Sequence, residues 1–159
     1  MSTVTELINL VYKEAERGLW QDDATRTTRD EVVALTRAGE LVVADNDDQL
    51  TGVVRVQRLD IDTGEFGMLA ADPALRGQGI GRDLVRYAED VSRAAGCRHM
   101  QLELLVPREW VLDSKEFLAA WYDRLGYRLQ RVGRIEETYP ELGPLLCTPA
   151  DFRTYRKAL

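Results

Sequence analysis

The stretch best suited to chemistry is Arg76-Gly77-Gln78-Gly79-Ile80-Gly81. Three glycines at alternate positions let the backbone turn sharply and let a ligand approach without meeting a Cβ atom. A helix opening directly afterwards leaves several amides without intrahelical partners, at the positive end of the helix dipole. Convergent amides of this kind suit phosphate oxygens, and Arg76 and Arg82 add positive charge beside them. Two familiar phosphate loops are excluded. No Lys-Ser or Lys-Thr pair follows, as a P-loop needs, and Arg82 stands where a dinucleotide fingerprint has its third glycine. The residues alone leave open that the glycines make a tight strand-to-helix turn and bind nothing. His99, the only histidine, has Cys97 two residues away and no further Cys or His nearby, so it reads as a turn residue at a strand entrance and not as a metal ligand.

Positioning such a loop takes a strand before it and a helix after it. Val4, Leu7, Leu10, Val11 and Ala15 recur at three- and four-residue steps, which predicts a first helix that Gly18 ends. Thr28 and Glu31 have capping-box spacing, so a second helix is expected from Thr28, with Val32, Val33 and Leu35 inside it and Gly39 at its end. Leu41 to Ala44 and Val53 to Leu59 are β-branched runs joined by the polar turn Asp45 to Gln49, which reads as an antiparallel hairpin. A third strand, about Glu65 to Ala71, follows the turn Asp60 to Gly64. After Asp72-Pro73 helix alternates with strand. Ile80, Leu84, Val85, Ala88, Val91 and Ala95 mark a long amphipathic helix ended by Gly96, and Met100, Leu102 and Leu104 alternate through a strand from His99 to Val106. A helix over about Ser114 to Leu125 is expected to present Phe117, Leu118, Trp121 and Leu125 on one side, with Gly126 as its stop. Strands from Tyr127 to Ile135 and from Phe152 to the C-terminus complete the pattern. No repeat, low-complexity tract or Pro/Gly/Ser linker divides the chain, so a single domain over 1–159 is expected, an α/β (α+β) fold with a mixed sheet and helices on both faces.

The loop, the strand before it and the late helix together resemble the GNAT superfamily of N-acetyltransferases. Arg76, Gly79 and Gly81 fit its acetyl-CoA signature of Arg or Gln, two residues, Gly, one residue, then Gly or Ala. Gly67-Met68-Leu69-Ala70 with Asp72-Pro73 looks like the strand that leads into that signature, and Trp121-Tyr122-Asp123-Arg124-Leu125-Gly126-Tyr127 looks like the family's late helix and following turn. The resemblance covers about Leu41 to Leu129. It implies a centrally splayed sheet and direct transfer of acetyl from acetyl-CoA, a cosubstrate, to an acceptor amine without a metal. It implies that the backbone of Met68, Leu69 and Ala70 pairs with the pantetheine arm, much as a peptide adds to a sheet edge. The pyrophosphate would rest on the stretch Arg76, Gly77, Gln78, Gly79, Ile80, Gly81 and Arg82, with Cβ atoms least tolerable at Gly79 and Gly81. An acceptor ammonium, of pKa roughly 10.4 if lysine-like, must lose a proton before it attacks. Glu65, at the start of its strand, is the expected base, with Glu103 on a neighbouring strand as its rival, and Tyr122 is placed by resemblance to protonate the departing thiolate. The family reading needs no nucleophile, so Cys147 is expected to be a small buried residue. Three features depart from the family pattern: Met1 to Thr3 hardly supplies an opening strand, Lys115 stands where Asn is frequent, and Pro107 to Asp113 is long.

In this fold the acceptor enters between the loop joining the first two helices and the segment joining the last two strands. Here these carry Trp20, Asp22 and Asp23, and Glu136, Glu137, Tyr139 and Glu141. Their acidity suggests a small amine with positive charge, such as a polyamine or amino sugar, although acidic loops are also common as plain solvated surface. Trp20 and Trp110 are ordinary aromatics or walls of that pocket. The segment Glu136 to Pro149 reads as a lid, which favours a small molecule over a protein N-terminus or lysine. The alternative from another class is an acyl-CoA-binding sensor without transfer activity, and the presence of Tyr122 favours the enzyme.

Composition bounds these readings. A chain of 159 residues, 45% hydrophobic and 30% charged, buries roughly 70% of its unfolded surface, enough for a substantial core. No apolar run spans a bilayer, Met1 to Glu6 lacks a signal-peptide pattern, and two cysteines make no disulfide framework, so a cytoplasmic protein is expected. A formal charge of -6 argues against nucleic-acid or anionic-membrane partners, leaving the amine acceptor and, at most, a second copy of the chain in a homodimer. The charge is uneven. Residues 1–65 hold seven basic and fourteen acidic side chains, whereas residues 76–131 hold ten and eight, a slightly basic section around the loop.

Overall fold

The computed structural model describes residues 3–22 and 24–159. Two helices, α1 (Val4–Ala15) and α2 (Arg29–Arg37), precede strands β1 (Leu41–Asn46), β2 (Gln49–Arg58) and β3 (Thr63–Ala71). Helix α3 (Ile80–Ala94), strand β4 (His99–Pro107) and helix α4 (Asp113–Arg124) follow. Strand β5 (Arg128–Gly133), the single-turn α5 (Ile135–Thr138) and strand β6 (Ala150–Ala158) come last. The chain divides into two compact units: Met1–Lys13, Thr25–Met100 and Ala158–Leu159 form the first, and Glu14–Ala24 with Gln101–Lys157 the second.

The first unit is built on the meander β1-β2-β3, both pairs antiparallel. Its first hairpin is tighter than the sequence predicts. Asp47 and Asp48 alone form the turn, with φ of 50° and 65°, as a two-residue hairpin turn of the primed kind requires, so both strands run longer. Leu7 and Ile8 of α1 and Leu35 of α2 pack on Val53, Met68 and Ala70 in one core cluster. The neighbour of Val53, Gly52, points to the opposite face, where α3 approaches so closely that a Cβ would lie 2.7 Å from Ile80 and 2.9 Å from Leu84. Helices therefore cover both faces of this meander. Thr28 caps α2, its hydroxyl accepting from the Glu31 amide at 3.2 Å; the Glu31 carboxylate, which a capping box would turn back to the Thr28 amide, accepts from the Thr27 hydroxyl at 2.6 Å. Asn9 fastens α1 to this start by exchanging bonds with the Thr27 backbone, 2.9 and 3.1 Å.

The second unit orders its strands β4-β6-β5, with β5 and β6 antiparallel. Leu19, Leu105, Ile135, Ala150 and Phe152 make its core cluster, and Trp20, Leu112, Tyr139, Leu142 and Leu146 pack against it. Alternation along β4 is as expected, with Met100, Leu102 and Leu104 buried. Two expectations fail. Helix α4 buries Lys115 and Tyr122, while Phe117 is 65% exposed, so its inner face lies about one residue position off the stripe read from the apolar residues. The strand from Tyr127 ends at Gly133, and Ile135 opens α5, where the Glu137 carboxylate returns to the Arg134 amide at 2.8 Å. Among the described residues no helix is long and apolar enough to cross a membrane.

Candidate active site

In the first unit, β3 reaches the glycine loop through an irregularity that the sequence did not announce. The pairing runs from Val53 with Ala70 to Arg55 with Gly67, so two steps along β2 correspond to three along β3 and the register passes over Met68 and Leu69. Met68 takes φ of +49° in this bulge while its side chain is buried at 1% exposure. Left-handed backbone costs a residue with a Cβ roughly 1–2 kcal/mol, and it persists where surrounding packing imposes it. Bulges of this sort bend a strand and turn its backbone groups away from the regular ladder, often beside active sites.

Beyond β3, Asp72 accepts from the Ala74 amide at 2.9 Å and Pro73 starts a 3-10 turn over Pro73–Leu75, which delivers the chain to Arg76. Gly77 and Gly79 then take φ of +83° and +78°. Gly77 and Gly79 thus carry the left-handed backbone, and Gly81 lies inside the first turn of α3. Gly79 is the N-cap and offers no side-chain cap, and the first helical bond runs from the Asp83 amide to the Gly79 carbonyl at 2.9 Å. The amides of Ile80, Gly81 and Arg82 therefore precede the first intrahelical bond, as an oxyanion site needs. Arg76 and Gln78 are exposed, and Arg82 lies 3.6 Å from Asp83. On the β1 side of α3 an open groove of about 490 Å³ is lined by Asp45, Gln78, Asp83 and Tyr87 among others.

Glu65 is not a solvated strand-end carboxylate. It lies inside β3 at 6% exposure and accepts from Gln57, its cross-strand partner, at 3.1 Å. Gln57 in turn accepts from Arg55 at 3.2 Å, and Arg55 pairs with Glu40 at 2.7 Å, so the carboxylate belongs to a polar chain across the meander.

In the second unit, Tyr122 is 6% exposed on α4, its ring 5.2 Å from Trp121 and 6.1 Å, edge to face, from Tyr127. Glu103 is half-buried on β4 and accepts from the Tyr139 hydroxyl at 3.2 Å, and the Tyr139 ring stands edge-on to Phe152 at 6.0 Å. Trp20 forms an isolated bridge with Leu146, so the loop after α1 is stitched to the segment between β5 and β6. The Gln21 amide to the Leu145 carbonyl, 2.8 Å, and the Cys147 amide to the Leu19 carbonyl, 2.9 Å, complete the stitching. Asp22 is exposed, and Asp23 lies outside the described residues. Glu137 is committed: the Arg134 amide and the Arg131 guanidinium beside it hold its carboxyl below the ordinary value of 4.5. Its charge is thus answered within the protein, which removes one carboxylate from the acidic surface expected there. Cys147 is exposed, contrary to expectation, with its sulfur 3.1 Å from the Gly18 carbonyl, while Cys97 is buried. Trp110 donates to the Thr148 hydroxyl at 3.0 Å. Among the described residues no group of three or more His, Cys, Asp and Glu could hold a metal ion.

The sequence pattern of the Acetyltransferase (GNAT) family matches residues 5–127. The chain belongs to the acetyltransferase (GNAT) family. Among solved structures it is similar to a GNAT family acetyltransferase from Elizabethkingia anophelis with acetyl-CoA bound, at 18% identity over 83% of this chain and 84% of that one, TM-score 0.63. It is also similar to an aminoglycoside 6'-N-acetyltransferase complexed with coenzyme A, at 15% identity over 97% and 89% of the two chains, TM-score 0.69. A type Ii aminoglycoside 6'-acetyltransferase shares 19% identity over 98% and 86%, TM-score 0.65. These are likenesses of a mixed α/β fold. The comparison with curated proteins finds no match.

Within this GNAT domain the structure gives Lys115, the departure from the family's frequent Asn, a partner that sequence spacing could not supply. Its ammonium lies 2.7 Å from Glu16, a residue ninety-nine positions away, and both side chains are buried. The available signal was a lysine seven residues before Tyr122, hence on the same side of the helix. The Met68 bulge had no signal of composition, because nothing about methionine suggests left-handed backbone.

Proposed function

We propose that this GNAT protein transfers the acetyl group of acetyl-CoA directly to a primary amine of a small, cationic molecule. One observation carries the reading: a bulged β3 running through a tight turn into a helix whose N-cap is a left-handed glycine. Main-chain donors before the first helical bond match the pyrophosphate oxygens, and the register step at Met68 and Leu69 leaves backbone suited to pair with the amides of the pantetheine arm. The open space around the Cβ positions of Gly67 and Gly77 fits close approach of such a ligand.

The acceptor arrives as an ammonium and gives a proton to a carboxylate. Glu103 is favoured over Glu65 for this step. It is half-buried and bonded to Tyr139, which packs on the same core cluster as Trp20, whereas Glu65 is enclosed and already belongs to a polar chain. The amine lone pair then attacks the thioester carbonyl, a nitrogen–carbon bond forms, the carbon–sulfur bond breaks, Tyr122 passes its proton to the departing thiolate, and the second proton leaving the nitrogen restores the Tyr122 hydroxyl. Trp20, Tyr139 and Glu103 suit a cation through aromatic faces and a carboxylate, with Asp22 adding charge nearby in sequence.

A panel of spermidine, kanamycin, glucosamine, lysine and a lysine-containing peptide, assayed for thiol release from acetyl-CoA, tests this. Turnover of the small polycations above the peptide is expected. Turnover of the peptide alone would move the function to protein acetylation, and coenzyme A binding without turnover of any amine would make the protein an acyl-CoA sensor. Glu103→Gln should lower turnover far more than Glu65→Gln, and the reverse result reassigns the base.

A further inference from the structure

The second unit contains a buried ion pair that the proposed reaction does not use. Glu16, just past α1, is 8% exposed and Lys115, in the first turn of α4, is 3% exposed. Both oxygens of the carboxylate are committed in different directions: Oε2 accepts from the Lys115 ammonium at 2.7 Å and Oε1 from the Trp20 indole nitrogen at 2.9 Å. The adjacent α4 residue, Ser114, donates through its hydroxyl to the Ala15 carbonyl, so two consecutive α4 residues grip the last residue of α1 and the one after it. Stability does not explain the charges. Removing two ions from water is costly, and an apolar pair of similar volume commonly serves as well or better. An apolar pair could not, however, offer an acceptor aimed at the indole.

We propose that Glu16 and Lys115 are positioning residues for acceptor binding: Lys115 fixes the Glu16 carboxylate, and the carboxylate fixes the rotamer of Trp20. The backbone bridge to Leu146 pins the main chain of Trp20, and the indole hydrogen bond fixes which way its ring is turned. The held ring packs against the cluster that also seats Tyr139, keeping the two aromatic residues in one arrangement. Lys115 itself touches no acceptor. The inference rests on the reading of Trp20 as part of the acceptor site, and its test has an arm that does not depend on turnover.

The variant to use replaces both charges at once, Glu16→Leu with Lys115→Met, because Lys115→Met alone strands a buried carboxylate and endangers folding. The full-length protein is labelled with 5-fluorotryptophan, its three tryptophans giving three fluorine NMR lines, with that of Trp20 assigned by its loss in Trp20→Phe. In the double variant the melting temperature should hold or rise, the Trp20 line should move and broaden, and the Trp121 line should stay. With spermidine and kanamycin as probes, acceptor KM should rise roughly tenfold or more, the loss of one hydrogen bond to a charged group, while acetyl-CoA KM stays unchanged. Glu16→Gln with Lys115→Met keeps a neutral acceptor for the indole and should return the Trp20 line and the acceptor KM toward the parent values. A fallen melting temperature with a still Trp20 line would make the pair a stability device and overturn the proposal. So would an unmoved Trp20 line with unchanged kinetics, or equal increases in both KM values. If neither amine is turned over, the acceptor reading fails separately, and the Trp20 line still decides whether the pair holds the ring.

Discussion

At Gly79 the proposed recognition is by the main chain rather than by a side chain. Its φ of +78° is strained for any other residue, and a Cβ there would lie 2.9 Å from the Arg82 guanidinium. Gly79→Asp also brings negative charge to the amides opening α3, so coenzyme A binding should disappear in calorimetry; unchanged affinity would remove the loop from the site. Tyr122 makes the complementary case, in which the proposed role falls to one hydroxyl. Its ring is already packed against Trp121 and Tyr127, so Tyr122→Phe keeps the packing and should lower kcat by about 10²-fold or more with acetyl-CoA KM nearly unchanged. A loss of tenfold or less would return the residue to a packing role. The turn at the glycines was readable in the sequence because alternate glycines between a strand and a helix favour left-handed backbone. Met68 was not, since its backbone angle is imposed by neighbouring strands and leaves no trace in its side-chain type.

Helix ends show most directly how local sequence becomes local structure. Thr28→Ala removes the acceptor for the Glu31 amide and should cost about 1 kcal/mol in urea unfolding; no change would mean that packing alone starts α2. At the start of α5 the lowered pKa of Glu137 has a definite sign. The group holds its proton less tightly when folded, so its contribution is present above the ordinary value of 4.5 and is lost as pH falls through the folded value. An NMR titration should place its midpoint below 4.5, and Arg131→Ala should raise that midpoint only part-way, because the Arg134 amide is the largest cause. Element types and order were readable from apolar period and glycine stops except at the single-turn α5, which opens at the residue where the expected strand was to end. Faces were less so: the stripe Phe117, Leu118, Trp121 and Leu125 on α4 gave way to a buried face holding Lys115 and Tyr122. A lysine is buried there because a distant carboxylate, Glu16, receives it, and such long-range pairing is invisible to a local pattern.

Over the whole molecule, the formal charge of -6 conceals a slightly basic section, residues 76–131, beside an acidic N-terminal stretch. That division suits an anionic cosubstrate and a cationic acceptor on one chain, with attraction that salt should screen. For polycationic amines kcat/KM should therefore fall as ionic strength rises, through acceptor KM; a salt-independent value would mean that charge does not steer the acceptor. Family and fold were accessible from three motifs in order, whereas the proposed acceptor site draws on loop pairing such as Trp20 with Leu146, which joins residues far apart in sequence. Transfer itself is the most direct test. Purified protein is mixed with acetyl-CoA and spermidine or kanamycin, the amine is weighed by mass spectrometry, and free thiol is counted. One acetylated amine for each coenzyme A released is the predicted result; coenzyme A bound tightly while every amine stays unmodified would contradict it.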